Sequence, residues 1–444
     1  MINWKEGDNW TFTGTPGIHG DYGGFHVYAF TMTLGMILAI LYSFYKFRKR
    51  DLSFDSLIWG VLFIVPVSLF GASVFGKLNA NGPGENAGGV GFWGLFAFWE
   101  AGMSIHGGVY AGLIMGLVVF GIIGRKTKVS LWTYMDAIIP NILLGQVVGR
   151  WGNFFNHELV GAPIRLLGHT NSFGKNQWGF IDFNSLGIPD PWANSPLGWI
   201  WKNTSAVYDG PETWINGIHL EPGAVCQMLP IFLIESLALL AVWLLVTFLI
   251  PNIGKWFGPK PWKVEPTKYQ KSWRTSSIWA KAFINDVDSL AVNNYQVYKN
   301  NNYEDDGRWE RGRHLINANN PHGYWITKAG CEASAYFFGW NLVRFVLELS
   351  RPDDHLFIMY DKPLSLALIG VSAFIGLIGM VLTQIVIPQL TRREGWVYEK
   401  PYFVTNMNEG GHESDQLKAT KVIQPKSNKA QKALEKMQKR ELNK

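Results

Sequence analysis

Only two cysteines, Cys226 and Cys331, occur in 444 residues. That is too few for a disulfide framework or a cysteine-rich metal site, and neither reads as a nucleophile. Charge is also scarce, at 17% Asp, Glu, Lys and Arg against about a quarter in an ordinary soluble domain, which points away from a cytosolic enzyme. His19, His26, His106 and His157 share no i, i+4 spacing, so no metal site is expected, and nothing in the chain calls for a cofactor. Zinc-finger spacing, an RNP-like aromatic strand and a helix-turn-helix signature are all missing, which argues against nucleic acid as a partner. The first 24 residues hold neither an apolar stretch nor a small-residue cleavage site, so they do not read as a signal peptide. No internal repeat relates the two halves.

What the chain does have is apolar length. Windows of about 20 residues, enough to cross a bilayer as a helix, run over 25–45, 56–76, 105–124, 131–149, 226–250, 330–349 and 364–388. Backbone polar groups inside lipid must be paired within the segment, so such windows are helices despite their Phe, Val, Ile and Trp. The predicted fold is all-α, a polytopic membrane protein with about seven spans. An odd count puts the termini on opposite sides. The segments sharing a side with the C-terminus carry four Lys/Arg over 46–50, three over 125–128, twelve over 251–329 and twelve from 389 on, which is 31 of the 40. The positive-inside rule therefore predicts an outer N-terminus and a cytoplasmic C-terminus. The pI of about 9.0 and net charge of +6 then read as a lipid-facing inner rim.

This divides the chain into a membrane part over 1–250 with a long outer loop at 154–225, a cytoplasmic insertion at 251–329, the last two spans over 330–388, and a basic, disordered cytoplasmic tail at 389–444. The outer loop is rich in Gly, Pro, Asn and Trp, and several of its Trp suit the headgroup level. The insertion is either a small folded domain or a partly ordered extension. The tail allows an amphipathic helix over 426–442.

Polar groups inside the spans carry the chemistry, because ionisable residues there cost several kcal/mol and default to function. Four segments qualify: FHVYAF over 25–30 with His26 and Tyr28, WEAGMSIHGG over 99–108 with His106, GRWGNFFNHELVG over 149–161, and GWNLVRFVLELSR over 339–351. In the last, Arg344, Glu348 and Arg351 recur at spacings of four and three, hence on one helix face. All four segments fall in the outer half of the bilayer. Arg150, Arg344 and Arg351 present planar donor forks suited to a phosphate or carboxylate. Glu158 and Glu348 could instead neutralise them internally. Asn153 and Asn156 add amides three residues apart, and Gly149, Gly152 and Gly161 suggest a backbone that bends or lets a headgroup come close. His26 also suits interfacial packing, Tyr28 an aromatic belt, and Asp136 a cap or a pair.

These four segments, in this order on seven spans, resemble the bacterial prolipoprotein diacylglyceryl transferases. The resemblance covers roughly residues 20–165 and 226–388 and is most specific around Arg150 and Asn153. It implies transfer of the diacylglyceryl group of phosphatidylglycerol to the lipobox cysteine of a prolipoprotein, forming a thioether and releasing glycerol phosphate. The place would be the outer face of the bacterial cytoplasmic membrane, with membrane lipids and prolipoprotein lipobox peptides as partners. His106 matches the family's proposed base. Arg150 and Arg344 match the arginines that hold the lipid phosphate. His26, Tyr28, Asn153, Asn156, Glu158, Gly161, Glu348 and Arg351 match substrate-binding positions. Departures are Ser73 where the family usually has Arg, Leu229 and Ile234 where a His and a Tyr precede the retained Pro230 and Glu235, Trp340 for Tyr, and Lys362 for Gln. A non-catalytic lipid- or lipobox-binding relative and a membrane transporter are the competing readings.

Overall fold

The computed structural model describes residues 9–80, 92–97, 103–158 and 160–402. The 99–102 part of the second polar segment and the tail beyond 402, with its expected helix over 426–442, lie outside the described residues.

The apolar windows fold as helices: α1 (Val27–Lys49), α2 (Phe54–Ala80), α3 (Ile105–Thr127), α4 (Leu131–Ile138) and α5 (Ile142–Phe155). Lys46, Arg48 and Lys49 close the last turn of α1, where cations complement the helix dipole. Pro140 interrupts the fourth window, and the chain passes from α4 to α5 through a 3-10 turn, Ile139–Asn141. Among the described residues, six helical stretches are long and apolar enough to cross a membrane: Val27–Lys49, Phe54–Leu78, His106–Thr127, Leu131–Phe155, Ile231–Val264 and Lys362–Thr391. Large apolar side chains such as Leu41, Leu62, Ile114 and Phe374 face outward from them, a surface for lipid to cover.

All-α needs correction, because the long loop at 154–225 belongs to a β unit. Strands β1 (Trp10–Gly14), β4 (Pro163–His169), β5 (Ile181–Asp182), β6 (Ser205–Tyr208) and β9 (Ala224–Met228) form one sheet in the order β4-β9-β6-β1-β5. Only the β1–β5 pair is parallel. Two separate hairpins pair β2 (Asp21–Tyr22) with β3 (Phe25–His26), and β7 (Thr213–Ile215) with β8 (Ile218–Leu220). The second turns on Asn216 and Gly217, both at positive φ, as a two-residue hairpin requires. Both faces of the sheet are covered: Ala206, Tyr208, Ala224 and Cys226 pack on one side, Val207 and Val225 on the other. A strand buried on both faces reads as a continuous apolar run. That is why the window 226–250 began too early: Cys226 lies in β9, and the helix starts only at Ile231.

After the single turn α6 (Gly198–Lys202) and the strands that follow it, α7 (Ile231–Leu244) continues through a π turn, Leu245–Leu249, into α8 (Ile250–Phe257). The insertion is folded. After α9 (Pro261–Val264), α10 (Thr275–Trp279) and a π turn, Ala280–Asn285, come α11 (Ser289–Asn302), capped by Asp288, and α12 (Arg308–Asn319). Val292, Tyr295, Leu315 and Ala318 share a core with Tyr398 and Tyr402. The last two belong to a short hairpin, β10 (Trp396–Val397) and β11 (Pro401–Tyr402), so the tail through Tyr402 completes the unit. Arg392 fastens it, paired with Glu399 at 2.6 Å and stacked 4.1 Å from the Tyr398 ring centroid. Ending the chain after Thr405 is expected to leave the melting temperature in detergent unchanged. Ending it after Gln389, which removes Tyr398, Glu399 and Tyr402, should lower it by several degrees; an unchanged value would show that the hairpin adds nothing.

The bundle closes with α13 (Cys331–Glu348) and α14 (Lys362–Thr391). α13 carries Glu332, Arg344 and Glu348 in 18 residues and is not one of the six apolar spans. Its start is held by a buried ionic clamp. Glu332 pairs with Lys46 at 2.7 Å and Arg50 at 2.6 Å, and Asp136 accepts from the backbone N–H groups of Gly330 and Ala333. Asp136 is thus a cap reaching from α4. Removing one partner of a buried pair leaves an uncompensated charge worth about 3 to 5 kcal/mol. Arg50 is partly exposed, so Glu332→Ala is expected to cost about 3 kcal/mol, read as a drop in melting temperature; a change under about 1 kcal/mol would mean that water replaces the carboxylate.

Candidate functional site

α5 is built to lie close against α1. A Cβ added at Gly145 would meet the backbone of Gly35 at 3.3 Å, one at Gly149 the Met32 sulfur at 2.9 Å, and one at Gly152 Tyr28 Cδ2 at 2.9 Å. Small residues four and three apart let helices approach in this way. The glycines of the GRWGNFFNHELVG block therefore serve packing, and they set Tyr28 beside the end of α5. Gly161 does likewise further on, donating its N–H to Leu229 O at 2.7 Å, with Leu229 and Ile231 where its own side chain would lie.

After Phe155 the chain turns back through His157, at φ 54°, a left-handed helix ending usually given to glycine. This folds Glu158 onto α5, where its Oε1 accepts from Asn153 Nδ2 at 3.0 Å and Asn156 Nδ2 at 3.2 Å. Tyr28 lies in the field of both Glu158 and Arg150. Glu158 is therefore engaged with the asparagines.

Arg150 pairs instead with Glu235 of α7, Nη2 to Oε1 at 2.9 Å. Arg351 pairs with the other oxygen of the same carboxylate and lies 3.9 Å from Glu348. Arg344 Nε stands 2.9 Å from Glu348 Oε2, and its Nη2 donates to His355 O at 3.3 Å. Glu348 also accepts from Phe357 N and the Ser365 hydroxyl. Arg351 falls past the end of α13, so a bend in the chain, not helical spacing, brings it to the same carboxylates. Three guanidiniums thus meet two carboxylates in a knot that is almost entirely buried: the side chains of Glu235, Glu348 and Arg351 are 1, 0 and 2% exposed. With all five ionised the knot carries one net positive charge. Lys362 sits at its edge, donating to Arg351 O at 3.3 Å.

His106, in the first turn of α3, is buried against Phe357 at 4.3 Å and Trp340 at 5.0 Å between ring centroids. It lies in the fields of Arg344, Arg351 and Arg150, and its Nε2 has no hydrogen-bond partner among the described residues. His26 does not join this group. Its side chain is 66% exposed in β3 and pairs with Asp21. Cys226 is out of reach of such chemistry, since burial in the sheet pushes its thiol up to about 12. Ser73 is fully buried in α2, its hydroxyl unpartnered among the described residues.

Sequence reasoning left Glu235 unassigned although it holds two of the three arginines. The available signal was a lone carboxylate in the otherwise apolar helix Ile231–Leu244, which by default asks for a buried partner. The anchoring of Glu348 by Phe357 N and Ser365 had no signal, because Phe357 lies in the connection after α13 and Ser365 in the first turn of α14, and only the fold brings them to the same carboxylate.

A family model described as prolipoprotein diacylglyceryl transferase matches residues 22–259. That range holds Tyr28, His106, Arg150, Glu158 and Glu235, while Arg344, Glu348 and Arg351 lie beyond it. Proteins named phosphatidylglycerol–prolipoprotein diacylglyceryl transferase are similar. The one from Oceanobacillus iheyensis is 35% identical over 142 residues, covering 31% of this chain and 45% of the relative. That of Malacoplasma penetrans is 36% identical over 153 residues, covering 31% and 43%. That of Mycoplasmoides gallisepticum is 29% identical over 248 residues, covering 50% and 56%. The chain therefore spans about half the length of these relatives. With the family model matched over more than half of its residues, this chain belongs to the prolipoprotein diacylglyceryl transferase family.

Proposed function

We propose that the protein transfers the diacylglyceryl group of phosphatidylglycerol to the thiol of a prolipoprotein's lipobox cysteine, at the outer face of the bacterial cytoplasmic membrane. The observation that carries the reading is the unbalanced knot. Arg150, Arg344 and Arg351 against Glu235 and Glu348 leave one positive charge in a buried site, and a phosphodiester brings the single negative charge that completes it. Arg150 meets Glu235 through Nη2, and a guanidinium offers five N–H donors, so a phosphate can share the same fork.

In this reading the acceptor sulfur attacks the glycerol carbon bearing the phosphate. A carbon–sulfur bond forms, the carbon–oxygen bond breaks, and glycerol phosphate leaves with the electron pair. The departing phosphate gains negative charge, which guanidiniums fixed beside it stabilise more than they do the diester. A free thiol is only a few per cent thiolate near neutral pH. His106 Nε2, unpartnered among the described residues, takes the thiol proton and passes it on to the leaving phosphate or to water. Tyr28, Asn153, Asn156, Glu158 and Gly161 shape the headgroup side, and His26 lies at its mouth. α13 is the seventh span, its charges satisfied inside the bundle, with the N-terminus outside and the insertion and C-terminus cytoplasmic.

The test gives purified protein phosphatidylglycerol and a lipobox peptide and follows peptide mass. A gain of one diacylglyceryl unit that disappears in Arg150→Ala supports the proposal. The carboxylate pairing of every arginine in the knot favours one second reading, a relative that binds lipid without catalysis, and bound lipid with no gain in peptide mass would select it. A transporter would give neither.

A further inference from the structure

The start of the insertion carries a surface that the transfer reaction does not use. The apolar stretch Ile231–Val264 is continuous through α7 and α8, so the inserted unit begins at the membrane boundary. Ile253, Trp256 and Phe257 are three and four residues apart, hence on one face of α8, and are 44, 53 and 75% exposed. A different face is occupied, since a Cβ at Gly254 would meet the Trp325 carbonyl at 2.7 Å. Further on, Trp273 is 84% exposed, with the Arg274 guanidinium 4.6 Å from its ring. Charge is polarised along the same chain. Residues 251–281 hold seven Lys or Arg and one acid, Glu265, whereas Glu304, Asp305, Asp306 and Glu310 follow together.

We propose that residues 251–281 seat the inserted unit on an anionic phospholipid surface, with Trp256, Phe257 and Trp273 in the headgroup region and the lysines against lipid phosphates. Continuity with a span fixes the distance to the membrane, and the charge fixes the lipid class. Aromatic rings with one apolar and one polar side favour the interface. Lysines clustered beside a span are drawn to anionic headgroups and released by salt. The inference holds for either leaflet and does not depend on the transferase reading.

Both native cysteines are buried, so Phe257→Cys, Trp273→Cys and Asn301→Cys each offer one exposed thiol to a polarity-sensitive fluorophore. The full-length protein is reconstituted in nanodiscs of phosphatidylcholine with or without phosphatidylglycerol. Labels at 257 and 273 are expected to shift to shorter wavelength in the anionic discs, and the shift at 273 to be lost at high salt or when Lys260, Lys263 and Lys271 are replaced by Gln. The label at 301, exposed beside the acidic run, should stay aqueous in both. Labels at 257 and 273 that stay aqueous in both membranes would overturn the proposal and leave this face to a protein partner. Equal, salt-insensitive shifts in both membranes would overturn it too, since charge would then play no part.

Discussion

Arg344→Lys is expected to lower transfer by on the order of 10²-fold, the usual loss when one preorganised donor to a developing anion is removed. The reason is geometric. Arg344 faces Glu348 through Nε and His355 O through Nη2, and a planar fork can do this while still offering a further edge to phosphate. An ammonium is a point charge on a flexible stem and holds no such directions at once. The charge of the knot is unchanged in this variant, so the melting temperature should fall far less than the rate. The measurement is the rate of peptide mass gain at saturating phosphatidylglycerol, set beside thermal unfolding. A lysine enzyme working at nearly the original rate would remove Arg344 from phosphate binding.

Glu235→Gln should have the second largest effect, on stability. Glu235 is the shared partner of Arg150 and Arg351, and a neutral amide leaves two buried guanidiniums near one another without their counter-charge. The expected cost is about 3 kcal/mol or more. The knot also rises from one net positive charge to two, so an anionic lipid should restore more of the melting temperature in the variant than in the parent protein. That follows because a ligand bound only by the folded state stabilises it in proportion to its affinity. Melting in detergent with and without phosphatidylglycerol, against phosphatidylcholine as control, decides it. If the lipid shifts parent and variant equally, the knot is a structural ion cluster and the lipid binds elsewhere.

Arg344 and Glu235 differ in how far the sequence announces their roles. Arg344 stands out because a guanidinium in an apolar window has few reasons to be there, and its pairing with Glu348 follows from a spacing of four. Glu158 had an equal claim on Arg150 by proximity along the chain, yet the reversal at His157 turns it to Asn153 and Asn156. A left-handed turn at a histidine has no signature that would announce it. Gly149 and Gly152 are a further case. Near an arginine they suggest room for a headgroup, whereas next to α1 they are the seam that permits helix contact.

By itself the sequence determined that this chain is mostly helical with long apolar stretches, because burying a backbone in lipid leaves few alternatives to a helix. It also determined which family the chain belongs to, since the polar residues of the membrane part stand in a recognisable order. Only the tertiary structure decided that the 154–225 loop forms a sheet completed by Trp10–Gly14, since strand pairing joins segments roughly 200 residues apart and leaves no local period. It alone decided that Arg150 meets Glu235, because a buried charge takes whatever counter-charge packing brings within reach, and packing is not written in sequence distance.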